Sequence, residues 1–192
     1  PNMPETIIAM LATASIGAIW SSSSPDFGIK GVLDRFTQIK PKVLFAANGY
    51  YYNGGKFDSL EKLNSILDQL PSVDHVVVTP YTESNPDISS VKNGILWDKF
   101  TDSNPSPLKF EQLPFQHPLY IMYSSGTTGL PKSIVHGAGG TLIQHLKELR
   151  LHCNIYPEDT IFYFTTCGWM MWNWLVSNLA IGAAIVLYDG SP

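Results

Sequence analysis

Residues 119–166, "LYIMYSSGTTGLPKSIVHGAGGTLIQHLKELRLHCNIYPEDTIFYFTT", decide the architecture. The stretch "LYIMYSS" reads as a strand, and the Gly/Ser/Thr-rich loop after it leads into a second apolar segment, "SIVH". "GTLIQHLKELRLHC" then predicts a helix and "DTIFYFTT" a further strand. Strands and helices that take turns imply an α/β fold, a largely parallel sheet with helices on both faces.

The same alternation extends in both directions. Downstream, "WMMWNWLVSNLAIG" reads as a helix and "AAIVLYD" as a strand. Upstream, Pro4 and Glu5 suit a first helical turn, with Ile7, Ile8, Leu11 and Ala14 at helical spacing until Ser15 interrupts them. "GAIWSSS" predicts a short strand, and Ile29, Val32, Leu33 and Phe36 mark a second helix. "PKVLFAA" is a continuous apolar run that suits a strand covered on both faces. Ser59 is placed to cap the amphipathic helix "LEKLNSILDQL", and "HVVVTP" is the next strand. Residues 81–117 are rich in proline and polar residues, with "ILWDKF" as their one strong apolar turn, and read as a surface excursion within one domain. "PETIIAMLATASIG" lacks a strand before it and "IVLYDGSP" stops just after one, so both ends read as cuts through a larger protein.

The chain has 192 residues, 44% of them hydrophobic, enough for one sizeable core. A net charge of -4 argues against a nucleic-acid polyanion as the main partner. Cys153 and Cys167 make neither a disulfide framework nor a four-ligand metal site, and read as reduced, mostly buried thiols. His145 and His152 have no carboxylate or cysteine constellation about them, so no protein-held metal is expected. Between Trp169 and Tyr188 the apolar run is broken by Asn173, Ser177 and Asn178, which argues against a membrane span.

The loop after "LYIMYSS" carries the chemistry. Gly126 and Gly129 can take positive φ and turn backbone N–H groups toward a ligand, while Ser125, Thr127 and Thr128 add hydroxyl donors. Lys132 adds a full charge, so the set suits a polyphosphate. It is not a Walker A loop: two residues rather than four separate the glycines, Leu130-Pro131 precedes the lysine, and a strand follows. By composition alone a solvated hairpin turn remains open.

The order Ser125-Gly126-Thr127-Thr128-Gly129-Leu130-Pro131-Lys132 resembles the phosphate-loop signature of the adenylate-forming acyl-CoA synthetase superfamily. "AMLATASIGAIWSSSSPDFG" and "TTCGWMMWNWLVSNLAIGAAIVLYDG" resemble the family's segments before and after that loop, so the likeness runs from Pro1 to Pro192. The resemblance implies that Ser124, Ser125, Gly126, Thr127, Thr128, Gly129 and Lys132 hold the phosphates of ATP. It implies that Trp169 and Met170 line the acyl pocket, and that Lys56 meets a phosphate of coenzyme A, although a solvated loop "NGYYYNGGKF" explains Lys56 as well. His136 reads as a hydrogen-bonded structural histidine rather than a catalytic one.

The wording of "PDFG", "YSSGTTGLPK" and "GWMMWNWLVS" is close to the family's acetoacetate-activating branch. The implied reaction joins acetoacetate to coenzyme A through an acyl-adenylate, with ATP as energy source, Mg2+ held mainly by phosphates and water, and a cytosolic setting. The resemblance implies that these residues are part of the family's large N-terminal adenylation domain, with its mobile C-terminal domain absent from them, so no catalytic residue is expected here and the segment alone should be inactive. Acetate or another short acid as substrate, and a non-catalytic nucleotide-binding remnant, stay open. An amidase-type serine hydrolase would need a lysine–serine–serine relay that has no matching motif here.

Overall fold

The computed structural model describes residues 1–102, 104, 107–124 and 129–191. Helix α1 (Pro4–Ser15) begins on the proline and buries Ile7, Ala9 and Met10. It ends where the apolar stripe fails, and Gly17 at φ 75° turns the chain. The predicted strand at "GAIWSSS" is reduced to one bridge, with Trp20 N donating to Leu119 O at 3.0 Å and Ile121 N to Trp20 O at 2.8 Å. The serines after it bond elsewhere: Ser21 Oγ donates to Ile121 O and Ser22 Oγ to Cys167 O. Such side-chain bonds to backbone compete with a continuing ladder.

Helix α2 (Ile29–Ile39) packs Phe36, with Val32 and Leu33, against Ile66 and Leu70. Strand β1 (Val43–Ala47) follows, then β2 (Gly49–Tyr52) and β3 (Gly55–Asp58). The predicted loop at "NGYYYNGGKF" is in fact this β2–β3 hairpin, closed by Asn53 at φ 48° and Gly54 at φ 74°. Two central residues of positive φ match the twist of the flanking strands, and Asn-Gly is the pair that adopts them most readily. Helix α3 (Leu60–Leu67) is capped differently from expectation. Ser59 makes no side-chain cap bond, and Asp58 Oδ1 accepts from Leu60 N at 2.7 Å instead. The carboxylate adds a charge that the helix N-terminus favours.

Strand β4 (His75–Thr79) is the centre of a parallel sheet of order β1–β4–β5. Its Val76, Val77 and Val78 are at most 1% exposed, each burial being worth about 1.5–3 kcal/mol. Within the stretch read as a surface excursion, β5 (Gly94–Leu96) pairs with Val76–Val78, and α4 (Trp97–Phe100) sets Trp97 and Phe100 against Phe45. "ILWDKF" thus closes the sheet rather than crossing the surface.

Strands β6 (Pro118–Ser124) and β7 (Lys132–Gly137) form an antiparallel hairpin, and α5 (Ala138–Lys147) runs on into a π-helical turn at Glu148–His152. Strand β8 (Thr160–Phe162) pairs in parallel with β9 (Ala184–Val186), with α6 (Met170–Val176) and a 3-10 turn (Ser177–Ala180) between them. Parallel pairing with helices is therefore the frame, and two hairpins are set into it.

The main core joins α1, β6 and α6 through Ile7, Met10, Trp20, Tyr120, Cys167, Trp172 and Val176. Trp172 is fully buried, and its Nε1 donates to Asn2 Oδ1 at 2.9 Å. Burial pushes the Cys167 thiol up to about 11, whereas Cys153 lies exposed just past the π-helical turn, contrary to the expectation of two mostly buried thiols. No helix among the described residues is long and apolar enough to cross a membrane.

Candidate functional site

Four of the predicted phosphate-loop residues, Ser125, Gly126, Thr127 and Thr128, lie outside the described residues. Their frame is described. Ser124 closes β6 and is the direct partner of Lys132, which opens β7, so the hydroxyl and the ammonium face each other across the mouth of the hairpin. Gly129 sits at φ 105° with open space where a Cβ would stand, so backbone conformation is what demands glycine there. Lys132 is exposed, and among the described residues the ion pairs are Lys30–Asp34, Lys42–Asp74 and Lys99–Asp98, none at this mouth.

Alternation along the strands sorts the side chains. Ser124, Met122 and Lys132 share one face, and the Met122 sulfur accepts from Asn173 Nδ2 of α6 at 3.3 Å. Tyr123 and Ser133, the neighbouring pair, point to the opposite face. The cation and the hydroxyl thus belong to the side of the hairpin that α6 covers.

On that side lies a cavity of about 880 Å³ between β7, α5 and α6. Met170, Met171, Trp174, Tyr163 and Phe115 give it an apolar wall, and Gln144, His136 and His145 add polar atoms. The two residues predicted for an acyl pocket separate here: Met170 lines the cavity, while Trp169 stands outside its lining, 63% exposed at the start of α6. Trp172, three residues on, is core.

The His136 ring packs on Tyr120 at 4.9 Å, and burial holds its pKa below the usual imidazole value. For His145, weighed in the sequence only as a metal ligand, the polar partner is distant in the chain. Its Nδ1 lies 2.7 Å from Ser177 Oγ, which itself donates to Asn173 O at 2.9 Å. The serine's single proton is thereby committed, so Nδ1 carries the hydrogen and Nε2 is an acceptor. Burial, then the neighbouring His136, lowers the pKa of His145.

Lys56 is exposed on β3, opposite Tyr51 in the second hairpin. A smaller cavity of about 230 Å³ lies beside that hairpin, lined by Tyr50, Tyr51 and Tyr52 together with Asp26, Thr165 and Asp189, and not by Lys56. The Tyr81 phenol is pushed up to about 12, first by burial and then by the Asp189 carboxylate. Two carboxylates border this cavity, so its own charge is unfavourable to a phosphate. Lys56 lines neither this cavity nor the larger one. Among the described residues no three His, Cys, Asp or Glu side chains group as metal ligands.

A model of the AMP-binding enzyme family matches residues 1–192. The chain is 59% identical to the acetoacetyl-CoA synthetase of Gallus gallus, over all of this chain and 30% of that protein. It is 57% identical to the acetoacetyl-coenzyme A synthetase of Rhizobium meliloti, again over all of this chain and 30% of that protein. The malonamoyl-CoA synthetase of Penicillium aethiopicum is 48% identical, over all of this chain and 27% of that protein. The solved acetoacetyl-CoA synthetase from Streptomyces lividans superimposes with a TM-score of 0.93 at 46% identity, over all of this chain and 29% of that one. The chain thus spans about 30% of the length of the curated relatives it matches. Matched from end to end by the family's model, and folded like the corresponding part of a solved synthetase, this chain belongs to the AMP-binding enzyme family.

Proposed function

We propose that the protein carrying these residues is an ATP-dependent acid–CoA ligase that activates acetoacetate. One carboxylate oxygen of the acid attacks the α-phosphorus of ATP, and the bond to the departing pyrophosphate breaks. The coenzyme A thiol, giving up its proton, then attacks the acyl carbon, and AMP leaves with the bonding electrons. The part assigned to this segment is to position and neutralise phosphates rather than to form covalent bonds.

The observation that carries the reading is the hairpin mouth, where Ser124 stands opposite an exposed Lys132 that is in none of the ion pairs among the described residues. Ser124, Ser125, Gly126, Thr127, Thr128, Gly129 and Lys132 are assigned to the β- and γ-phosphates. Met170 is assigned to the acyl pocket, with Trp169 at its entrance. Lys56 remains a separate proposal for coenzyme A. Magnesium would ride on the phosphates and water; the described side chains offer it no cage. A cytosolic setting accords with the reduced thiols.

The relative named for malonamoyl-CoA favours a second reading, in which the acid is another short β-substituted carboxylate. Acid-dependent exchange of pyrophosphate into ATP, measured on the complete chain, decides. Exchange that depends on acetoacetate and exceeds that with acetate or malonamate supports the first reading. Greater exchange with one of the others replaces it, and silence with all three removes the ligase reading.

A further inference from the structure

We infer that Gln38, near the end of α2, is a positioning residue for Lys132. The inference rests on the phosphate role proposed for that lysine. The Gln38 carboxamide grips the chain on both sides of it: Nε2 donates to Pro131 O at 3.0 Å, and Oε1 accepts from Ser133 Oγ at 2.9 Å. Its nitrogen also donates to Asp34 O at 2.6 Å, one helical turn back. Both partners of the nitrogen are carbonyl oxygens, which only accept, so the orientation of the amide is determined by its bonds. All of its polar atoms are engaged, and the residue between the two contacts is Lys132.

A second contact from the same helix makes the grip a clamp. Tyr123 Oη, on β6, donates to Arg35 O at 3.1 Å. The Arg35 guanidinium also lies 5.8 Å from the Tyr123 ring centre. Tyr123 and Ser133 are cross-strand partners, so α2 holds the same face of both strands within one hairpin rung. The next rung is Ser124–Lys132, and alternation turns it to the other face. A slip of one residue in β7 would exchange Ser133 and Lys132, pointing the ammonium at α2 instead of the mouth. Gln38 opposes that slip one rung before the end of the ladder.

The test uses the complete chain, with the KM for ATP and the KM for the acid read separately in pyrophosphate exchange. Gln38→Leu removes the three bonds while keeping most of the side-chain volume. The bonds are exposed and individually weak, so the expected change is a rise of about fivefold in the KM for ATP, with the KM for the acid unchanged. In a Lys132→Ala background the same substitution is expected to add nothing, because the group it positions is gone. Ser133→Ala removes one bond from the opposite side and should give the same pattern more weakly, including where Gln38→Leu impairs folding. An unchanged KM for ATP in Gln38→Leu, while Lys132→Ala raises it, overturns the inference and leaves the phosphate role standing. A full Gln38 effect persisting without Lys132 also overturns it. An unchanged KM for ATP in Lys132→Ala removes the phosphate role itself.

Discussion

Replacing Lys132 by alanine removes one positive charge from the hairpin mouth and little else. The side chain is exposed at the first residue of β7, so the change should alter stability by no more than about 0.5 kcal/mol. Toward ATP the loss is larger. At about 4 Å and an effective dielectric near 20, an ammonium attracts one negative charge with about 4 kcal/mol of gross energy. The net worth of a hydrogen bond to a charged group is about 1.5–3 kcal/mol. The open position of Lys132 belongs in the lower half of that range, near about 2 kcal/mol, which is about thirtyfold in kcat/KM for ATP. The assay is acetoacetate-dependent pyrophosphate exchange on the complete chain with ATP varied, at low and at moderate salt. Lys132→Arg keeps the charge and should recover most of the loss. Added salt should weaken ATP use less in Lys132→Ala than in the parent, because the screened charge is absent. A loss within about twofold, with the salt response unchanged, would refute the reasoning.

Four other outcomes follow from the same geometry. Gly129→Ala meets no steric obstacle but forces a side chain onto φ 105°, so it should cost about 1–3 kcal/mol of local strain and raise the KM for ATP; an unaltered KM would show that the turn does not shape the loop. Trp172→Phe leaves Asn2 Oδ1 without its indole donor in the core and should lower stability to chemical denaturation by about 1–3 kcal/mol, a loss that a parent-like midpoint would deny. Met170→Ala should raise the KM for the acid and spare that for ATP, and the reverse split would move Met170 out of the acyl pocket. His136 and His145 have folded pKa values pulled below 6.5 by burial, so the unfolded chain takes up their protons first as pH falls. Their contribution is intact above that value and is lost on acidification through the folded pKa, so His145→Gln should lose less Tm than the parent between about pH 7.5 and 5.5; equal losses would contradict the shift.

Much of the frame is legible in residue order, because it rests on local periodicity. Ile29, Val32, Leu33 and Phe36 mark one buried stripe, and α2 follows it. The valines of "HVVVTP" need cover on both faces, and β4 lies at the centre of its sheet. What escapes depends on partners far along the chain. Gln38 looks like any polar residue on a wet helix face until Pro131 and Ser133 arrive beside it, 93 and 95 positions later. His145 acquires a fixed tautomer only through Ser177. The β2–β3 hairpin was open to local reading: Asn53-Gly54 between tyrosines and phenylalanine is a two-residue turn signal. Composition drew attention to the glycines as a loop and away from the pair that closes a ladder.

Under the phosphate role proposed for Lys132, the antiparallel hairpin also gives a reason for a lysine at this position. Where a glycine-rich loop runs directly into a helix, the helix N-terminus offers unpaired N–H groups and about half a positive charge to a phosphate. Here a six-residue strand, Lys132–Gly137, intervenes before α5 begins at Ala138. At about 3.3 Å per residue, that places the helix N-terminus about 20 Å from the mouth of the hairpin. This is twice the distance over which salt screens exposed charges, which is about 10 Å. The α5 dipole is therefore too remote to serve, and a side chain on the hairpin itself can supply a positive charge at the mouth. Among the described residues on the two rungs nearest the mouth, Tyr123–Ser133 and Ser124–Lys132, only Lys132 supplies one. Antiparallel register sets it opposite Ser124, and the grip of α2 keeps it turned to that side.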